Sequence, residues 1–137
     1  MNKRKIAYFP VTPPVETWLD KYPVFSFRFY DKDNKEFSIQ NLESKKDHEK
    51  LIEKLHEFSN KKWNEIAIAE REFWHFHEID WTETEKQNGF ETLEQLQGLS
   101  AYQFKIFEEF RIIGAMTHDG SFEIVWFDRM HKLYPRK

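Results

Sequence analysis

The residues best suited to chemistry lie near the end of the chain, where Asp128, Arg129, His131, Lys132 and Tyr134 follow an apolar run. An imidazole with an ordinary pKa of about 6.5 can take or give a proton near neutral pH, so His131 is a candidate acid or base. Arg111, on what reads as the neighbouring strand, offers a planar fork of donors suited to a phosphate, and Asp128 is spaced to orient His131. The same residues have a plainer reading. Asp128 can cap the turn that leaves the strand, His131 and Tyr134 can pack against the sheet edge, and the tail bases can simply be solvated.

A second constellation is His75-Phe-His77 with Glu78 and Asp80. In an extended segment His75 and His77 would face the same way, as a chelating pair requires, whereas in a helix they would diverge by about 200°. Zinc would still need a further ligand such as His118 or His131. The pair reads more simply as histidines at a helix end, so neither a metal nor a cofactor is expected. Nucleotide-binding glycine loops, the G-x-S-x-G elbow and the H-E-x-x-H zincin motif are all absent from the sequence. Aromatics interleaved with a base, as in Phe27-Arg-Phe-Tyr30, could stack on single-stranded bases, but a Phe stripe at period two is the pattern of a core strand.

These groups sit in a chain of 137 residues with 21 Lys+Arg, 24 Asp+Glu and a formal net charge of -3. That length suits a single domain and excludes a large multidomain enzyme. With no cysteine there is no disulfide framework and no thiolate nucleophile, while 14 Phe, 5 Trp and 5 Tyr supply ample area for a core. The basic start is followed by too few apolar residues for a signal peptide, and no apolar run approaches a membrane span, so a cytoplasmic location is expected. Charge is uneven. Residues 65–94 hold nine carboxylates against Arg71 and Lys86, whereas bases gather in residues 2–5 and 129–137 and would make one patch if the termini met.

The elements that must position these groups follow from periodicity. In residues 24–30 alternation puts Phe25, Phe27 and Phe29 on one face of a strand, the polar cluster 31–35 reads as a turn, and residues 36–40 resume alternation, which together predict an N-terminal β-hairpin. Ser44, three residues before Asp47, gives an N-cap signal, and Leu51, Ile52, Leu55 and Phe58 then fall at helical spacing, predicting a helix over about 45–59. Asn60 can cap a second helical stretch with Trp63, Ile66, Ala67, Phe73 and Trp74 near one face, giving a helical hairpin. Phe90, Leu93 and Leu96 make a short amphipathic turn closed by Gly98. A strand follows around residues 102–106, and Phe110-Arg-Ile-Ile-Gly-Ala-Met116 with Asp119-Gly120 and residues 121–128 predicts a further hairpin. Phe122, Ile124 and Trp126 should share one face of its last strand and Val125 and Phe127 the other, which marks a central strand. The expected fold is therefore α+β: an antiparallel sheet with an N-terminal hairpin, a helical hairpin packed on one face and a C-terminal three-stranded meander.

The segment Phe110-Arg-Ile-Ile-Gly with Phe122-Glu-Ile-Val-Trp-Phe-Asp-Arg-Met-His-Lys-Leu-Tyr-Pro135 resembles the tail of a group of small uncharacterised bacterial and phage proteins, which carries no known activity. More loosely, a helical hairpin followed by an antiparallel meander, with an Arg on one strand and a His and a Tyr near the end, is similar to toxins of the RelE type. That likeness covers about the last quarter of the chain at the level of motifs. It implies metal-independent cleavage of mRNA on the ribosome, with Arg111 on the phosphate, His131 moving protons, Lys132 and Tyr134 in support, and an antitoxin as protein partner. The chain is longer than such toxins and its pI of about 6.1 contrasts with their basic surface. The alternative from the residues themselves is a non-enzymatic interaction protein, in which residues 65–94, with Trp74 or Trp81 as exposed anchors, meet a basic partner.

Overall fold

A computed structural model describes residues 17–90, 93–96 and 98–134. The chain is α+β, and one five-stranded sheet carries all of its described strands in the order β1-β5-β4-β3-β2. The strands are β1 (Val24–Ser26), β2 (His77–Glu78), β3 (Ala101–Phe107), β4 (Phe110–Met116) and β5 (Ser121–Asp128). The expected C-terminal meander is present: β3, β4 and β5 pair antiparallel in sequence, β2 adds antiparallel to β3, and only β1 runs parallel to its neighbour β5.

The N-terminal hairpin is not formed. The extended segment stops at Ser26, and the residues from Arg28 to Asn41 wind back on themselves because short polar side chains capture the backbone. Ser26 Oγ accepts from Arg28 N, Asn34 Oδ1 accepts from both Glu36 N and Phe37 N, and Ser38 caps a 3-10 turn over Ile39–Asn41. Phe25 and Phe27 therefore stay on one side of the sheet, Phe27 against Tyr30 and Phe127, and Phe29 leaves it. Phe25 joins the core under the helices, Phe29 packs on the opposite side of the sheet, and Phe27 is half exposed.

The first helix falls where its signals put it. Helix α1 spans Lys45–Ser59, with Ser44 Oγ accepting from Asp47 N at 3.0 Å. Asn60 closes α1 instead of opening the next helix, its side-chain amide donating to His56 O. The second helical stretch is distorted: a π-helical turn (Glu65–Ala69) leads into a short α2 (Arg71–Trp74). A π turn holds one residue more than an α turn, so the phase slips by one position. Trp74, not Phe73, follows Trp63, Ile66 and Ala67 inward, and Phe73 is left 69% exposed. The two helical segments meet where the rings of Phe58 and Trp74 lie 4.8 Å apart. No helix among the described residues is long and apolar enough to cross a membrane.

The sheet separates two apolar clusters. On the helix side Phe58, Trp63, Phe104, Ile112, Phe122 and Phe127 pack together, with Phe104 edge to face against Phe58 and Phe122, and on the other side Phe37, Phe90, Ile113, Val125, Trp126 and Leu133 pack beneath loops and the returning tail. Strand β5 is buried on both faces as expected of a central strand, but its alternation breaks. Ile113 pairs with Trp126 and Gly114 with Ile124, so Val125 is the extra residue of a β-bulge. Trp126 consequently leaves the face of Phe122 and Ile124, and Phe127 takes its place. Gly114 permits the close approach, since a Cβ there would stand 2.1 Å from Glu123 O.

Candidate functional site

The bulge sets the phase of the end of β5, and with it the position of Asp128 opposite Arg111 in the β4 register. Both are almost fully buried, at 1% and 3% exposure. The Asp128 carboxylate bends the chain back, with Oδ1 accepting from Lys132 N at 2.9 Å and Oδ2 from Leu133 N at 2.7 Å. Inside this turn His131 takes a left-handed backbone conformation, φ 58°, and Leu133 drops into the second apolar cluster. Arg111 Nη1 donates to Glu108 O at 2.8 Å and to Phe110 O at 3.3 Å, which ties the guanidinium to the β3–β4 turn.

His131 lies over this pair. Its Nε2 is 3.4 Å from Gln103 Nε2 and its Nδ1 is 3.6 Å from Glu109 Oε2. With the Gln103 amide nitrogen as donor, Nε2 accepts and the ring proton is assigned to Nδ1, facing Glu109. Burial holds the His131 pKa below its ordinary value, the charge of Arg111 pushes the same way, and Asp128 and Glu109 oppose them. The result is a neutral imidazole beside a buried cation.

Of the five residues singled out in the tail and β4, Arg111, Asp128 and His131 are brought together. Tyr134 is not, and Lys132 meets the cluster through its backbone N–H to Asp128 and a cavity shared with that residue. Lys132 is exposed and lines a polar cavity of about 360 Å³ that it shares with Asp128 and with Asp47 and Arg129, which are themselves paired at 3.1 Å. Tyr134 packs on the second cluster, its phenol facing Asp80 and Glu83 and its pKa raised by burial. Asp128 spends its oxygens on the backbone of the turn, as the capping reading has it. His75 closes α2 in a left-handed conformation, φ 52°, before β2 begins at His77, so the pair is not one extended segment. Among the described residues no group of three or more His, Cys, Asp or Glu is placed to hold a metal. The basic residues 2–5 and 135–137 of the supposed joint patch lie outside the described residues.

The acidic segment differs from expectation in its anchors. Trp74 is 4% exposed and donates from Nε1 to Glu70 Oε1 at 2.9 Å, a bond that lowers the Glu70 pKa together with Lys61 at 3.3 Å. Trp81 is half-buried against Phe90 and Trp126. The exposed apolar side chains are Ile68, at 63%, and Phe73, at 69%. They line one open depression with Glu70 and Glu72. Glu72 beside them, Glu78 beyond Ile68 and Glu65 in the same segment are exposed and form no ion pair among the described residues. The signal for these anchors was the slipped phase of the π turn, which periodicity does not reveal. Comparison with protein-family models, with curated proteins and with solved structures found no match.

Proposed function

We propose that this chain is a non-enzymatic interaction protein that meets a basic protein partner through the acidic, apolar face of residues 65–78. The observation that carries this is the outward display of Ile68 and Phe73, 63% and 69% exposed, in a segment where Glu65, Glu72 and Glu78 form no ion pair among the described residues and only Glu70 has a cation, Lys61. Large apolar side chains that share a depression supply the area a partner can desolvate, and the surrounding carboxylates steer and select a basic surface. The test is a photo-crosslinker at position 73, with the same group at Glu53 on the outer face of α1 as control. The docking reading expects an adduct specific to position 73, formed with a partner of basic surface and lost on Ile68→Ser or at high salt. Equal labelling from both positions would count against it.

A second reading, metal-independent RNA cleavage of the RelE kind, draws its support from the meeting of Arg111, Asp128 and His131 and from the neutral imidazole there. In it the ribose 2′-OH attacks the adjacent phosphorus while His131 takes its proton, the P–O5′ bond breaks to leave a 2′,3′-cyclic phosphate, the departing 5′-oxygen takes a proton from water, and Arg111 holds the charge that develops. RNA, free and on translating ribosomes, would be cleaved by the wild type and not by His131→Ala. Cleavage by neither would end this reading.

A further inference from the structure

Behind Ile68 the fold leaves a second cavity, of about 190 Å³, whose floor is aromatic. Trp18 and Tyr102 meet edge to face at 5.7 Å, and Phe76 stacks on Tyr102 at 4.9 Å, so the floor is held in place by its own packing. Ala67 on the π turn and Leu19 form the sides, and the smallness of Ala67 keeps the space open. An apolar cavity of about 150 Å³ suffices to hold benzene, so this one has room for a single large side chain.

The mouth selects by charge. Arg71 stands exposed on the rim, its Nε donating to Phe76 O at 3.2 Å, and its one positive charge is outnumbered by the carboxylates of Glu72 and Glu78. Glu78, across the mouth, is exposed and has no ion-pair partner among the described residues, and Glu72 lies on the far side of Ile68. Ile68 itself divides this cavity from the depression that holds Phe73, so one occupant would cover both.

We propose that the cavity floored by Trp18, Phe76 and Tyr102 takes one large apolar side chain, aromatic by preference, from a partner segment whose flanking residues are Lys or Arg. This rests on the docking reading above and names what the partner must carry. A rigid cavity repays an inserted ring without a cost in ordering the receptor, while Glu65, Glu72 and Glu78 pair with the flanking cations.

The probe is a set of short labelled Lys/Ser peptides that differ only in a central Phe, Leu or Ala, titrated by fluorescence anisotropy against the full chain. The Phe peptide should bind about 10–100-fold tighter than the Ala peptide, the range set by burying one large apolar side chain. Ala67→Met, which fills the cavity, should erase that preference and leave the weak binding of the Ala peptide in place. Leu19→Trp fills it from a half-buried wall and serves where Ala67→Met disturbs the π turn, with unfolding midpoints measured for both. Equal affinity of wild type for the Phe and Ala peptides would overturn the cavity assignment and spare the docking face. Failure of every basic peptide to bind would overturn both. The sequence also holds a basic-aromatic stretch, residues 3–9, and tighter peptide binding by a Tyr8→Ala, Phe9→Ala double variant would show the chain supplying its own occupant, which would overturn assignment to a separate partner.

Discussion

Replacing Asp128 by Ala removes the acceptor of two backbone N–H groups, at 2.9 and 2.7 Å, and the carboxylate opposite Arg111 in the sheet. A hydrogen bond to a charged group contributes about 1.5–3 kcal/mol, and the bond to Leu133 N, being buried, belongs at the upper end. The bond to Lys132 N is partly solvated and counts for less. Loss of the opposite charge adds a further cost, because Arg111 keeps its charge at 3% exposure. The expected destabilisation is about 3–5 kcal/mol, a large share of the roughly 5–15 kcal/mol that holds a domain together. Asp128→Asn should cost less, about 2–3 kcal/mol, because it keeps one acceptor and sets an amide donor against the other N–H. Urea unfolding followed by tryptophan fluorescence reads both, and an unchanged slope would show that the same surface is exposed. An Asp128→Ala variant within about 1 kcal/mol of wild type would refute the view that this carboxylate holds the tail against the sheet.

Gly114→Ala should cost about 3 kcal/mol or prevent folding, because its Cβ would stand 2.1 Å from Glu123 O and 2.7 Å from Phe122 Cε2; a urea midpoint close to wild type would contradict the bulge geometry. His131 has a folded pKa below its unfolded value of about 6.5, so the unfolded chain binds more protons between the two. Its contribution is therefore complete above about pH 6.5 and is lost as pH falls through the folded pKa, and His131→Gln should flatten the fall in urea midpoint over that range. Equal slopes would reject the neutral, buried assignment. Ser44→Ala should cost about 1 kcal/mol and Ser44→Asp only a few tenths, read from thermal or urea unfolding, because the N-cap accepts from Asp47 N.

The strongest local signals carried the fold. The α1 cap and spacing, and the Asp119-Gly120 turn between two apolar strands, are satisfied within a few residues of themselves, so the sequence displays them directly. What failed depended on distant partners or on a slipped period. Alternation in residues 24–30 resembles a strand, yet only Val24–Ser26 finds a neighbour, and that neighbour is β5, parallel and nearly a hundred positions away in the register Val24 with Ser121. The π turn and the β5 bulge each insert one residue, and each reassigns an aromatic: Phe73 goes outward, and Trp126 changes face. In the tail, the residue types pointed to one cluster of five, but the turn that Asp128 makes leaves Lys132 exposed at a cavity it shares with Asp128 and sends Tyr134 to the second apolar cluster.

The docking face is tested most directly by the affinity of the partner crosslinked at position 73 for wild type and for an Ile68→Ser, Phe73→Ser double variant, at low and at physiological salt. Both side chains are more than half exposed, so the variant should unfold within about 0.5 kcal/mol of wild type. Its affinity should fall at least about tenfold, and the wild-type affinity should weaken as salt screens Glu65, Glu72 and Glu78. An unchanged affinity in a stably folded double variant would contradict the assignment of this face to partner binding.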